Sequence, residues 1–192
     1  MELTLNRVKL QLMQLEHAEQ LYKIIEETPS LWSYMPRQMR SQHDMEEMVK
    51  EALESYKEGT VLPFVVVDQF TNSIVGSTRL YDISADYKTL ELGYTFYAPS
   101  VQRTSINTEC KYLLLRHAFE TLQMVRVQIK TDLQNKRAQK AIERLGAIKE
   151  GVLRNERTLY TGQTRDACVY SVISKEWLTI KENLQLLLQK NY

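Results

Sequence analysis

Thr89-Leu-Glu-Leu-Gly-Tyr-Thr-Phe-Tyr97 runs through Ala98-Pro-Ser100 into the polar turn Gln102-Arg-Thr-Ser-Ile-Asn-Thr-Glu109. Side chains alternate across a strand, so Leu90, Leu92, Tyr94 and Phe96 are expected on one face and Thr89, Glu91, Gly93, Thr95 and Tyr97 on the other. After the turn, Cys110, Leu113, Leu114, Ala118 and Leu122 fall at helical spacing. The first turn of such a helix has backbone N–H groups without intrahelical partners, at the positive end of the macrodipole. A diphosphate is a natural ligand there. An ordinary capped helix is the competing reading, and residues further along the chain shift the balance.

A second strand–helix unit comes next. Val125-Arg-Val-Gln-Ile-Lys-Thr131 alternates cleanly, Asp132-Leu-Gln-Asn135 turns, and Ala138, Ala141, Ile142 and Leu145 form a helical stripe closed by Gly146 as a left-handed C-cap. Ile148–Leu153 reads as a returning strand, with a hairpin tip at Tyr160-Thr-Gly-Gln163 leading into the strand Ala167–Ile173. Ser174 precedes a last helix with Trp177, Leu178, Leu184, Leu187 and Leu188.

Upstream, Arg7–Met13 alternates as a half-buried strand, and Leu15–Glu27 carries a helical stripe stopped by Thr28-Pro29. Ser30–Arg40 is an aromatic-rich loop. Asp44 is a candidate cap for a helix bearing Met45, Met48, Val49, Ala52 and Leu53. Pro63-Phe-Val-Val-Val-Asp68 is a continuous apolar run, which suits a strand covered on both faces. Gln69–Ser73 then turns into Ile74–Tyr81. With no repeat, linker or break in composition, residues 1–192 read as one domain.

Composition bounds the function. Of 192 residues, 43% are hydrophobic and 26% charged, which is ordinary globular usage. A formal net charge of +1 weighs against nucleic acid as the main partner. No apolar run approaches a membrane span, and Met1–Arg7 lacks a secretory apolar core. Cys110 and Cys168 fit buried thiols better than a disulfide. A cytoplasmic location is the economical expectation. The six glycines come no closer together than Gly146 and Gly151, so neither a P-loop nor a G-x-G-x-x-G turn exists. His17, His43 and His117 stand far apart without partners at metal-ligand spacing, so no metal is expected.

Asn107-Thr-Glu-Cys-Lys-Tyr-Leu-Leu-Leu115, Asn135-Lys-Arg-Ala-Gln-Lys-Ala-Ile-Glu-Arg-Leu-Gly-Ala147 and Arg165-Asp166 together resemble the GNAT N-acetyltransferase superfamily. Within it, the chain looks most like the Rim-type (RimJ/RimL-like) ribosomal-protein N-terminal acetyltransferases. The likeness runs from the first strand to about residue 175. It implies an α/β (α+β) GNAT fold: a mixed, mostly antiparallel sheet of about seven strands, splayed at a CoA cleft and flanked by helices on both faces. It also implies acetyl-CoA as cosubstrate and an amine as acceptor.

In that family the turn reads Q/R-x-x-G-x-G/A and its amides hold the acyl-CoA pyrophosphate. Registered on Thr108-Glu109, Gln102 matches, while Ser105 and Asn107 stand at the glycine positions. Asn tolerates left-handed φ, and a Ser hydroxyl donates to phosphate oxygens. The resemblance therefore assigns Gln102, Arg103, Thr104, Ser105, Ile106, Asn107 and Thr108 to the cofactor, with Glu109 expected to point aside. Pantetheine would thread between the Thr89–Tyr97 and Val125–Thr131 strands past Leu92 and Tyr94, with Asn135 and Arg137 touching CoA. Lys136 and Lys140 offer further charge toward the 3′-phosphate, or simply a solvated helix face.

Acetyl transfer needs a neutral amine, a donor for the oxyanion and an acid for the thiolate. Glu91 is the candidate base, directly or through water; a solvated strand glutamate is the alternative. Relatives use a Tyr seven residues after the Asn, or a Ser three after it, as the acid. Here these are Ile142 and Ala138, which donate no proton. Either water protonates the thiolate, or Tyr94, Tyr97 or Tyr170 does, or the enzyme is slow; Tyr97 is the candidate acid. Trp32, Tyr34 and Arg37 are candidates for the acceptor pocket because loops between early helices carry function. An α-amine, near pKa 7.7–8.0, asks less of a base than a lysine at about 10.4. A protein N-terminus is thus the first acceptor considered. A small amine (aminoglycoside, polyamine or amino acid) is the second, and a CoA-binding protein with little activity is the third. Monomer and homodimer both remain open.

Overall fold

The computed structural model describes residues 1–190. Its elements are β1 (Glu2–Thr4), β2 (Val8–Leu12), α1 (Ala18–Glu27), α2 (Gln42–Lys57), β3 (Leu62–Asp68), β4 (Ser73–Ser84), β5 (Thr89–Tyr97), α3 (Ile106–Arg116), β6 (Arg126–Asp132), α4 (Lys136–Arg144), β7 (Ile148–Thr158), β8 (Thr164–Ile173) and α5 (Trp177–Lys190). The strands form one sheet in the order β1-β2-β3-β4-β5-β6-β8-β7. Every neighbouring pair is antiparallel except β5 and β6.

The apolar run of β3 explains the layering. Phe64 and Val66 point into a core shared with Ile106, Leu113 and Leu114 of α3, Ile142 of α4 and Ile180 of α5. Val65 and Val67 point the other way, against Leu21 and Ile25 of α1 and Met45 and Val49 of α2. All four are at most 4% exposed. A strand buried on both faces needs this unbroken apolar sequence, because each face must match its own helix layer.

The sheet has eight strands rather than the seven expected. The extra one is β1, which pairs with β2 over Glu2↔Gln11 to Thr4↔Lys9 and is too short to show a period. The N-cap of α2 is Ser41, not Asp44. The Ser41 hydroxyl accepts from Asp44 N at 3.3 Å, and Asp44 Oδ2 accepts from Ser41 N at 2.9 Å, which is a reciprocal capping box. The expected helix from Leu15 begins as a 3-10 turn, Leu15–His17, before α1.

The informative departure lies in β5. Ser77 pairs with Phe96 and Arg79 with Gly93, so Tyr94 and Thr95 together oppose Thr78. Tyr94 sits at φ 50°. One extra residue reverses the alternation beyond it. Leu90 and Leu92 face the α3 layer, whereas Phe96 faces α1 and α2 and meets Trp32 edge-on at 5.4 Å between ring centroids. The four residues expected on one face are thus divided between two. Across the bulge, β4 comes so close that a Cβ on Gly76 would lie 2.1 Å from the Phe96 carbonyl oxygen.

Candidate active site

The parallel ladder between β5 and β6 is short: Thr89↔Arg126, Leu90↔Val127 and Glu91↔Gln128. Beyond Glu91 the two strands part, while β6 stays paired with β8 through Asp132. A cavity of about 820 Å³ opens at this split, lined by Leu92–Tyr97 on one side and Ile129–Asp132 on the other. The bulge at Tyr94 bends β5 away, and the backbone edge it presents to β6 there is left without a ladder partner.

At one end the cavity reaches the start of α3. Gln102, Arg103, Thr104, Asn107 and Thr108 line it. The first intrahelical bond runs from Glu109 N to Ser105 O at 2.8 Å, so the amides of Asn107 and Thr108 lie ahead of it. Positive φ occurs at Arg103 (65°), while Ser105 is helical at φ −63°. The left-handed residue that a glycine would serve is therefore Arg103, two to four residues before the positions expected. Ser105 (3% exposed) and Ile106 (0%) are packed inward and do not line the cavity. Glu109 turns aside as expected, its Oε2 accepting from Arg7 N at 2.9 Å and Val8 N at 3.1 Å. Arg137, Lys140 and Arg144 of α4 add cations to this end. Arg137 donates to Gln102 Oε1 at 2.7 Å, and Gln102 donates to the Tyr97 carbonyl at 3.0 Å, so the two helix starts are tied together. Asn135 also lines the cavity, but its Oδ1 already caps α4 by accepting from Ala138 N at 3.0 Å.

At the other end stand Tyr34, Met35 and Pro36 with Tyr81, Glu91, Arg157 and Arg165. Glu91 is 3% exposed. Its cross-strand neighbours are Tyr81 on β4 and Gln128 on β6, and both hydroxyl and amide donate to its carboxylate. Lys130 Nζ adds an ion pair at 3.1 Å and reaches Glu156 at 3.5 Å. Burial pushes the Glu156 carboxyl up, but hydrogen bonds from Arg157 and Arg165 outweigh it and hold it at about 2. Burial and the Glu91 charge keep the Tyr81 phenol well above its ordinary range. Arg79, 6% exposed, lies over the Tyr94 ring at 4.6 Å.

Other expected residues fall elsewhere. Trp32 is core, 4% exposed, with its indole N–H donating to the Arg37 carbonyl at 2.7 Å. The Arg37 side chain forms an exposed two-point pair with Glu51. Neither lines the cavity; Tyr34 does. Tyr97 lines it, yet its hydroxyl is buried against the Cys110 thiol, away from the cavity's polar groups. Burial raises that phenol well above its usual range. Tyr170 donates to Glu143 at 2.9 Å outside the cavity. Ile142 and Ala138 line the cavity and offer no proton.

Lys111 is a site residue that the sequence pattern did not single out. It lies on the buried side of α3, 7% exposed, lines the cavity, and donates to Thr95 Oγ1 at 2.9 Å. Burial pushes its ammonium down to about 8. A lysine between Cys110 and Tyr112 in an otherwise apolar stripe was the available signal. Among the described residues, no group of three His, Cys, Asp or Glu is placed to hold a metal ion, and no helix is long and apolar enough to cross a membrane.

Comparison with known proteins accords with this architecture. Residues 7–148 match the acetyltransferase (GNAT) domain family. The Bacillus subtilis (strain 168) protein named "Putative ribosomal N-acetyltransferase YdaF" is 29% identical over 109 residues, 56% of this chain and 58% of its own length. A "putative acetyltransferase" structure from T. thermophilus superposes with a TM-score of 0.84 at 34% identity, covering 97% of this chain and 96% of that one. The microcin C7 self-immunity acetyltransferase MccE, solved with acetyl-CoA and AMP, shares the fold at TM-score 0.80 and 21% identity, over 88% and 93% of the two chains. With its sheet split at the one parallel strand pair, beside an open helix start, the chain belongs to the GNAT acetyltransferase family.

Proposed function

We propose that the protein transfers an acetyl group from acetyl-CoA to an amine, the acceptor being the α-amine of a protein or peptide N-terminus. The observation that carries this reading is the continuity of one cavity through the β5–β6 split, from the open start of α3 to the Glu91 cluster. The residues present fit acetyl-CoA. The amides of Asn107 and Thr108, with Thr104 and Gln102, suit a diphosphate, and Arg103, Arg137, Lys140 and Arg144 supply countercharge. When bound, acetyl-CoA supplies the activated thioester. The edge of β5 beyond Glu91, around Leu92–Tyr94, offers donors toward a developing oxyanion.

Tyr34, Tyr81 and Glu91 would border the amine. Three donors hold Glu91 in place, so it takes the amine's proton through water or along the Tyr81 hydroxyl. An α-amine is already partly neutral near pH 7, which suits so constrained a base. The Bacillus subtilis relative is named a ribosomal N-acetyltransferase, which favours a protein over a small amine as acceptor.

The experiment is thiol release from acetyl-CoA across hexapeptides with different first residues, spermidine, kanamycin and free amino acids. Peptide-dependent release supports the proposal, and Glu91→Gln should lower kcat about 100-fold with little change in the KM for acetyl-CoA. Release with small amines alone would move the acceptor to that class. Acetyl-CoA binding without release on any amine would leave a CoA-binding protein and overturn the transferase reading.

A further inference from the structure

The cavity poses a chemical problem: a thiolate must leave, and the two α4 positions where relatives carry their acid hold Ala138 and Ile142. Tyr97 is sealed against Cys110, Tyr170 is bonded to Glu143, Tyr81 is committed to Glu91, and Tyr94 packs on the acceptor side, edge-on to Tyr81 at 5.2 Å and under Arg79 at 4.6 Å. Of the α3 side chains that line the cavity, Lys111 is the cationic one. Lys111 Nζ carries three protons, and its bond to Thr95 Oγ1 uses one. Thr95 is itself anchored by Thr78, the two hydroxyl oxygens standing 2.8 Å apart. Among the described residues, no carboxylate lies within ion-pair distance of Lys111, although the ion pairs of Lys130, Arg157 and Arg165 show how readily this protein supplies them.

The location is specific. Lys111 stands one helical turn beyond Asn107, so it looks into the cavity just past the open amides of α3. Its partner Thr95 belongs to the bulge where β5 leaves β6. We propose that Lys111 is the proton donor to the departing CoA thiolate. This rests on the acetyltransferase reading above.

The step balances within the site. The acceptor nitrogen forms its bond to the acetyl carbon, and the C–S bond breaks with its electron pair going to sulfur. Lys111 Nζ gives that sulfur a proton and regains one from solvent as the free thiol departs. The nitrogen's surplus proton leaves by way of Glu91. A thiol with a pKa near 8.5 is well matched by an ammonium held at about 8. Around Lys111, burial lowers the ammonium and Cys110 opposes it by a smaller amount, Glu109 is turned to β2, and β5 and β4 present the hydroxyls of Thr95 and Thr78.

The test uses Lys111→Met and Lys111→Arg in the full chain, with the best peptide acceptor from the panel. The wild type should show a fall in kcat above pH 8; Lys111→Met should lose about 100-fold in kcat, keep its KM for acetyl-CoA within about threefold, and lack that alkaline fall. Lys111→Arg keeps the charge but donates poorly, and should recover no more than about tenfold. A readout independent of turnover is the ultraviolet absorbance of the CoA thiolate bound to each protein, followed against pH. A neighbouring ammonium should let the bound thiol ionise at least about one pH unit lower in the wild type than in Lys111→Met. Wild-type turnover with an unchanged kcat and alkaline limb in Lys111→Met, or identical thiol titrations, overturns this proposal alone. No thiol release from the wild type on any amine overturns the transferase reading and this proposal with it.

Discussion

At the Tyr34 end of the cleft the buried carboxylates share several donors, whereas at the α3 end the Lys111 ammonium has a single threonine hydroxyl. Glu91 accepts from Tyr81, Gln128 and Lys130, and Glu156 is shared by Lys130, Arg157 and Arg165. Glu91 and Lys111 line one cavity and are 3% and 7% exposed, so the difference is not simply depth. A paired charge is fixed in place and held in one geometry. An unpaired one is destabilising in the folded state and therefore poised to change its protonation. The protein thus gives up stability on one side of the cleft to hold a reactive group, and gains rigidity on the other.

The largest effect is expected when Glu156 is removed. Glu156→Ala leaves Lys130, Arg157 and Arg165 without their common partner, and should cost about 3 kcal/mol in urea denaturation. The wild type should lose the same support in acid. The folded carboxyl titrates at about 2, below its unfolded value near 4.3. Its contribution is therefore complete above about pH 4.3 and fades as the pH falls toward 2. A Glu156→Ala variant whose acid unfolding midpoint matches the wild type would remove the cluster from the account.

Lys111→Met probes the opposite end, with the opposite sign. The folded ammonium titrates near 8 against about 10.4 unfolded, so the charge destabilises the native state below pH 8, and that penalty disappears as the pH rises through 10.4. The variant should gain roughly 2–3 kcal/mol at pH 7, or about 5–10 °C in Tm, and nothing at pH 10.5. Thr78 and Thr95 keep each other as partners when the lysine goes. A variant that is less stable at pH 7 would show Lys111 to be structural.

The smallest effect is expected at Asn107→Asp. A carboxylate in the first turn of α3 should favour the macrodipole and raise stability by about 0.5 kcal/mol, while weakening CoA binding about tenfold by repulsion of the diphosphate. Calorimetry of CoA binding checks it; unchanged affinity would move the diphosphate away from this turn. Ser105, buried behind the turn, is not the position for such a test.

Much of the site was legible because its signals are local. Gln102, Thr104, Asn107 and Thr108 stand in a polar turn before an apolar helix, and Glu91 stands on the strand before it; the structure brings them all to the cavity. Trp32 and Arg37 fall outside it because an aromatic-rich loop looks alike whether its rings line a pocket or plug a core, and Phe96 draws Trp32 inward. Lys111 was not legible because a lysine in a helix is ordinarily solvated, and nothing within a few residues reveals that α3 buries this side of itself.

The residues alone determined the elements other than β1, and the covering of β3 on both faces. Alternation and 3.6-residue stripes are properties of neighbours along the chain, and the unbroken apolar run of β3 required helices on both faces. Tertiary structure decided what a single inserted residue cannot announce. The bulge at Tyr94 reverses the faces of β5, opens the gap toward β6 and provides Thr95 for Lys111. The positive φ of the turn before α3 falls on Arg103. Such features depend on how one strand registers against the next, and register is set by contacts between residues distant in sequence.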